Sequence, residues 1–152
     1  MVLRLRYSWP RKYIGRARKG GSSTQGDEAL APAGPGRRVL IVDDNRDAAD
    51  SLGAILQLMG NETVIAYDGH DAQGKLGAQR FDAALLDIGM PGMNGYDLAQ
   101  RIRALPQGGG LVLIALTGWG QEEDKRRALD AGFDHHLTKP VDAAVVARLL
   151  LS

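Results

Sequence analysis

The amino-acid sequence predicts an α/β domain with a parallel sheet, preceded by a basic arm. From Arg38 onward, short apolar runs alternate with amphipathic stretches, which is typical of repeated βα units. Five such units fit into residues 37–152, so the 152-residue chain has room for one domain and a tail. No apolar run reaches the roughly 18 residues of a membrane span. The chain contains no cysteine, which excludes disulfides, thiolate zinc sites and cysteine nucleophiles.

The five predicted strands are short apolar runs of the kind that a parallel sheet buries on both faces. They are Val39–Val42, Thr63–Ala66, Ala83–Leu86, Leu111–Leu116 and His135–Leu137. The five predicted helices follow the strands in turn, at about Arg46–Met59, His70–Gln79, Gly95–Leu105, Gln121–Ala131 and Asp142–Leu150.

The first helix shows the clearest helical period, with an expected buried face made of Ala48, Leu52, Ile55, Leu56 and Met59. Gly60 and Gly132 are expected to end the first and fourth helices. The run Gly108–Gly110 lacks the Gly-Lys-Ser/Thr ending of a phosphate-binding loop and is predicted to form a turn. Residues 122–127 mix both charge signs, so we expect them to form a solvated face of the fourth helix.

The charge of the chain is unevenly distributed. Residues 1–36 carry a net charge of +5, whereas residues 37–152 carry −4. The arm ends in a segment rich in Gly, Ser, Pro and Ala, which predicts a flexible linker and a disordered arm. The favoured interpretations are a disordered tail, a remnant of an upstream domain or a start codon placed too early. Tyr7, Trp9 and Tyr13 lie among the basic residues, so contact with nucleic acid or an anionic membrane is an alternative, as is an organelle transit peptide.

Polar residues follow four of the five predicted strands: Asp43, Asp44, Asp87, Thr117 and Lys139, the last of these followed by Pro140. Open parallel sheets bind ligands at the carboxyl ends of their strands. Taken singly, the acids and the threonine are ordinary helix caps and the lysine is a solvated charge. Together, three carboxylates a few Å apart repel one another unless a cation or a shared proton relieves them. The pattern therefore predicts a Mg²⁺ site at which an aspartate accepts a phosphoryl group.

Four segments carry a family resemblance: VLIVDDN (Val39–Asn45), LLDIGMPGMNGYDL (Leu85–Leu98), ALTG (Ala115–Gly118) and LTKP (Leu137–Pro140). In this order, each at a strand, they resemble the receiver domain of two-component response regulators over Arg38–Leu151. Among receivers, the chain is most similar to those of hybrid sensor kinases and to stand-alone single-domain receivers. The resemblance implies a flavodoxin-like three-layer sandwich with five helices and a five-stranded parallel sheet of order 2-1-3-4-5. Residues 37–152 are then the receiver domain.

The same resemblance implies the roles of the acidic residues. Asp87 would be the phosphoacceptor, which takes its phosphoryl group from a phosphohistidine. Asp44, Asp87 and the backbone carbonyl of Gly89 would bind Mg²⁺ (or Mn²⁺), and Asp43 would act mainly through a metal-bound water. Because Gly89 has no side chain to orient an attacking water, we expect slow self-dephosphorylation.

The resemblance also implies the roles of residues on the last two strands. Lys139 would pair with the phosphoryl group, and its peptide bond to Pro140 would be cis, which would aim the lysine into the site. The Thr117 hydroxyl would move toward the phosphoryl group as part of the switch. His136 stands where the family usually has an aromatic switch residue, so the movement would be coupled to a titratable imidazole. Trp119 is a candidate partner contact, with simple packing as the alternative.

These expectations describe a phosphorylation-controlled signalling module in the cytoplasm, not an enzyme with turnover on a small substrate. The expected phosphodonor is a histidine kinase or a histidine phosphotransfer domain. A downstream protein would bind the face formed by the fourth helix, the fifth strand and the fifth helix, and weak homodimerisation is a further expectation. The chain offers no DNA-binding output domain in its sequence.

Two alternatives come from other functional classes. A Mg²⁺-dependent phosphohydrolase of the haloacid dehalogenase type also uses a strand-end aspartate, but its two aspartates are two residues apart, whereas Asp43 and Asp44 are adjacent. The chain also lacks a cap domain. A nucleic-acid-binding module would use residues 1–19 and bind in a salt-sensitive way.

Overall fold

The computed structural model describes residues 36–118 and 122–151. Its strands are β1 (Arg38–Val42), β2 (Glu62–Ala66), β3 (Ala83–Asp87), β4 (Val112–Thr117) and β5 (His135–Thr138). Its helices are α1 (Arg46–Leu58), α2 (Gly69–Ala78), α3 (Gly95–Arg103), α4 (Glu122–Ala131) and α5 (Ala143–Leu151). The predictions for the basic arm, its linker and Trp119 fall outside the described residues and stay predictions. Among the described helices, none combines the length and the apolar character needed to cross a membrane.

The five strands form one parallel sheet in the order β2-β1-β3-β4-β5, which confirms the predicted topology. Leu40 of β1 is paired with Val64 of β2 on one side and with Ala84 of β3 on the other. Because the chain reverses its direction across the sheet at β1, the carboxyl ends of β1 and β3 lie next to each other. Ligands bind at this switch point in open α/β sheets.

Both faces of the sheet are covered by helices, so the three central strands β1, β3 and β4 are almost entirely apolar. Leu40, Val42 and Leu86 point toward α2, α3 and α4 and form one core with them. Ile41 and Leu85 point the other way and pack against α1 and α5. The result is the predicted three-layer sandwich, with every residue of β3 and β4 buried.

The buried face of α1 is rotated from the predicted one. Its buried residues are Ala49, Leu52, Gly53 and Leu56, and Met59 packs against the same core. The prediction was wrong for Ala48 and Ile55, which are both exposed. A Cβ atom on Gly53 would lie 3.0 Å from Cδ1 of Ile65, so the helix approaches β2 closely along a glycine. The spacing of apolar residues in the sequence does not reveal that contact, because glycine has no side chain to bury.

Helix ends follow the local sequence closely. Asn45, Asp68 and Asn94 cap α1, α2 and α3 by accepting a backbone N–H three residues ahead, at 2.7–3.1 Å. Gly60 and Gly132 adopt φ values of 98° and 108°, the left-handed conformation that follows many helix ends. The α3 helix ends at Arg103, two residues earlier than predicted, and Gly108–Gly110 form a short 3₁₀ turn.

Arg103 joins four segments at the amino-terminal edge of the sheet. Its guanidinium donates to the carbonyls of Gly108 and Leu111 at 2.7 Å and to the carbonyl of Gly132 at 2.7 and 2.9 Å. It also pairs with the Asp134 carboxylate at 2.9 Å. Only the planar fork of an arginine can reach these acceptors together.

We therefore expect Arg103→Lys to lower the free energy of unfolding by about 2–3 kcal/mol, because an ammonium keeps the charge but satisfies fewer of these buried acceptors. Urea denaturation with an unchanged m-value measures this. Arg101→Lys, at an exposed position of the same helix, is the matched control. Equal stabilities for the two variants would contradict the role given to Arg103.

Candidate functional site

Three carboxylates converge at the carboxyl ends of β1 and β3. Asp43 and Asp44 directly follow β1, and Asp87 is the last residue of β3. One oxygen from each of the three lies within 4.8 Å of the others. Asp43 and Asp87 are buried, whereas Asp44 is exposed. The structure therefore brings together the acids that the sequence places at separate strand ends, and it leaves one of them open to solvent.

Hydrogen bonds fix the two buried carboxylates. Oδ1 of Asp43 accepts from the backbone N–H of Asn45 at 3.0 Å, and its Oδ2 accepts from Lys139 Nζ at 3.2 Å. Oδ1 of Asp87 accepts from the backbone N–H of Gly89 at 3.1 Å and lies 3.2 Å from the same Lys139 Nζ. One ammonium group thus lies between two carboxylates that would otherwise repel each other.

The site keeps an excess of negative charge despite the lysine. Burial, followed by the charge of Asp43, raises the pKa of Asp87 from 3.8 to about 6, although the Gly89 N–H and Lys139 act in the opposite direction. For Lys139, partial burial is the largest single effect and lowers the pKa, but the two carboxylates together outweigh it and the pKa is raised. The lysine is therefore charged at neutral pH, and Asp87 holds a proton more readily than an ordinary aspartate.

The ends of β4 and β5 complete the site. Thr117, the last residue of β4, is buried, and its carbonyl accepts from the Lys139 N–H at 2.7 Å. The Lys139–Pro140 peptide bond is cis. These contacts place the predicted hydroxyl and the predicted ammonium at the same edge of the sheet as the three carboxylates.

His136 lies on β5 opposite Ala115, on the face of the sheet that α4 covers. It is half-buried, and no hydrogen-bond partner of its Nε2 lies in the described part of the chain. Burial, and then the charge of Lys125, lowers the pKa of His136, while Asp124 acts in the opposite direction. The lowered pKa favours the neutral form of the imidazole.

A cavity of about 330 Å³ adjoins Asp87 and was not predicted from the sequence. Asp87 and Thr117 line it from the sheet, and Tyr96, Asp124 and Arg127 line it from α3 and α4. The solvated face expected for residues 122–127 is confirmed for Lys125, Arg126 and Arg127, which are exposed, whereas Asp124 is half-buried. Asp124 lies four residues before the buried Ala128, and that helical spacing was a signal that could have identified it.

Comparison with known proteins gives the family. Residues 39–150 match the response regulator receiver domain family. The chain is 38% identical over 112 residues to a 14.6 kDa protein of Leptolyngbya boryana, covering 74% of this chain and 86% of that protein. It is 40% identical over 116 residues to the sensor histidine kinase RcsC of Escherichia coli K12, covering 74% of this chain but 12% of the kinase.

A solved structure agrees with these relatives. The receiver domain of sensor histidine kinase PA1611 from Pseudomonas aeruginosa, solved with a magnesium ion in its active-site cleft, superposes with a TM-score of 0.69 at 33% identity. The match covers 76% of this chain and 94% of that one. None of these similarities supports the phosphohydrolase or the nucleic-acid alternative. Aspartate phosphorylation and magnesium binding are characteristic of the family, whose members serve signalling and not turnover of a small substrate. The chain belongs to the response regulator receiver domain family and is a receiver domain of two-component signalling.

Proposed function

We propose that Asp87 accepts a phosphoryl group from the phosphohistidine of a histidine kinase or a histidine phosphotransfer domain. The observation that supports this most directly is the position of Lys139 Nζ, 3.2 Å from both Asp43 and Asp87 in a three-carboxylate cluster. An ammonium group at this position can pair with the negatively charged oxygens of a phosphoryl group on Asp87. In the transfer, an Asp87 oxygen forms a bond to phosphorus as the P–N bond breaks, and the departing imidazole nitrogen keeps the electron pair.

The donor set fits a magnesium ion. Three carboxylates within 4.8 Å supply hard oxygen ligands, and the exposed Asp44 leaves room for metal-bound water. We assign the ligands to Asp44, Asp87 and the Gly89 carbonyl, with Asp43 acting through a water. Mg²⁺ would neutralise the phosphoryl oxygens as the group is transferred. Mn²⁺ favours the same ligands and would serve as a paramagnetic probe of the site.

The output of the switch is assigned to the α4-β5-α5 face. Thr117 and the α4 residue Asp124 line the same cavity beside Asp87, so a movement of the Thr117 hydroxyl toward a phosphoryl group changes the support of α4. His136, which is half-buried on β5, moves together with the Thr117 hydroxyl. A downstream protein would recognise the changed face in the cytoplasm, and weak homodimerisation through it stays part of the proposal.

The assignment of Asp87 predicts Mg²⁺-dependent phosphorylation of the full chain by acetyl phosphate. Intact mass should rise by one phosphoryl group in the wild type and not in Asp87→Asn. Asp47→Asn, at an exposed acid in the first turn of α1, is the control and should be phosphorylated normally. A wild-type chain that stays unmodified with Mg²⁺ and acetyl phosphate would refute the proposal.

The raised pKa of Asp87 predicts how stability depends on pH. The folded protein binds this proton more readily than the unfolded chain, so stability falls as the pH rises from 3.8 to about 6. Asp87→Asn removes the charge and should be more stable than wild type at pH 7.5 without metal, by on the order of 1–3 kcal/mol. The difference should vanish below pH 4. Thermal unfolding in EDTA across this range measures it, and a constant difference at all pH values would contradict the cause given.

Gly89 predicts a long-lived phosphoryl group. A Cβ atom at this position would lie 4.0 Å from Oδ1 of Asp87, so a longer side chain could reach a water beside the acyl phosphate. We expect Gly89→Asn to shorten the lifetime about tenfold, because its amide can orient the attacking water. Loss of phosphate after removal of acetyl phosphate measures the rate. Gly74→Asn, on the exposed side of α2, is the control, and a wild-type lifetime of seconds would contradict the prediction.

A further inference from the structure

The cavity beside Asp87 has one feature that the phosphoacceptor role does not use. Its sheet side carries Asp87 and Thr117, and its α4 side carries Arg127. Its volume of about 330 Å³ is enough for a small organic anion next to the phosphoacceptor. The cavity therefore joins the reacting carboxylate to a cation that belongs neither to the acidic cluster nor to β5.

Arg127 is held in place by the aromatic residue below it. The guanidinium carbon lies 4.2 Å from the centre of the Tyr96 ring, a cation–π distance. Tyr96 is buried, and its hydroxyl donates to the Asp124 carbonyl at 3.4 Å. Because the guanidinium stacks on a fixed ring, less side-chain entropy is lost when it meets a ligand. The stacking connects the first turn of α3 to α4 and leaves Arg127 on the cavity wall.

The charged residues on the cavity wall differ in the sign of the ligand that they can bind. Asp87 and Asp124 are the acids, and Arg127 is the base among the described residues that line it. Lys139 does not line the cavity and pairs with both Asp43 and Asp87, at 3.2 Å from each. When a phosphoryl group occupies Asp87, an anion beside it finds its counter-charge at Arg127, whereas an uncharged group gains little there.

We infer that the cavity is a subsite for the anionic leaving group of a small acyl phosphate donor, and that Arg127 selects such donors. This inference rests on the proposed role of Asp87. With acetyl phosphate, an Asp87 oxygen bonds to phosphorus, the P–O bond to the acetyl group breaks, and acetate leaves with the electron pair. With phosphoramidate the P–N bond breaks, and the already protonated nitrogen leaves as uncharged ammonia. A cation stabilises the first leaving group and not the second.

The test compares the rates at which the two donors phosphorylate the full 152-residue chain with saturating Mg²⁺. Arg127→Ala should lower the acetyl phosphate rate about fivefold to twentyfold and change the phosphoramidate rate by less than about twofold. Arg127→Lys should keep most of the acetyl phosphate rate. Asp124→Asn, which removes the opposing carboxylate, should raise it. Arg126→Ala, an exposed neighbour on the same helix that does not line the cavity, is the control.

Each outcome decides the inference. A selective loss with acetyl phosphate in Arg127→Ala, with opposite signs for the Arg127 and Asp124 variants, supports it. An equal loss with both donors shows a structural role for Arg127 and overturns it, as does an unchanged rate with both. A wild-type chain phosphorylated by neither donor overturns the proposed function first, and this inference with it.

Discussion

The structure depends on one electrostatic constraint, the placement of two buried carboxylates side by side at the ends of β1 and β3. Such a pair is costly to bury unless a cation accompanies it. The cation is Lys139, 3.2 Å from each, and it directly follows β5, far along the chain from β1. Three features hold that lysine at the junction of β1 and β3. They are the strand order, the hydrogen bond between Lys139 and Thr117, and the two helical layers.

The two edges of the sheet use charge in opposite ways. At the amino-terminal edge, Arg103 and Asp134 satisfy each other and several backbone groups, so each charge there has a partner of its own. At the carboxyl-terminal edge, Lys139 compensates only part of the negative charge, and Asp87 keeps a raised pKa. The first arrangement contributes to stability. The second arrangement lowers the stability of the fold. It leaves a site that is stabilised when a cation or a phosphoryl group binds.

Much of the fold and of the acidic cluster can be predicted from the sequence, because both depend on short local patterns that recur along the chain. The three central strands are apolar runs, and each site residue directly follows or ends a strand. A parallel sheet with β1 next to β3, the order that the family resemblance implies, therefore brings Asp43, Asp44 and Asp87 together. Contacts between helices are a different matter. The position of α1 depends on a close approach at Gly53, and the cavity depends on Arg127 of α4 meeting Tyr96 of α3. Neither contact can be recognised from the spacing of apolar residues, because each joins residues on two different elements of the fold.

The glycine turn after α3 has a practical consequence for observing this receiver at work. A Cβ atom at Gly108 would overlap the carbonyl oxygen of Ile102, so that position admits no side chain. Gly109 and Gly110 are exposed, and a Cβ atom added at either would meet no described residue within 4 Å beyond its chain neighbours. In a chain without native cysteine, a single cysteine at either of them would carry a fluorophore or spin label at the edge of the sheet opposite the phosphoacceptor. Such a label would add no group beside the phosphoacceptor and would leave the chemistry there untouched.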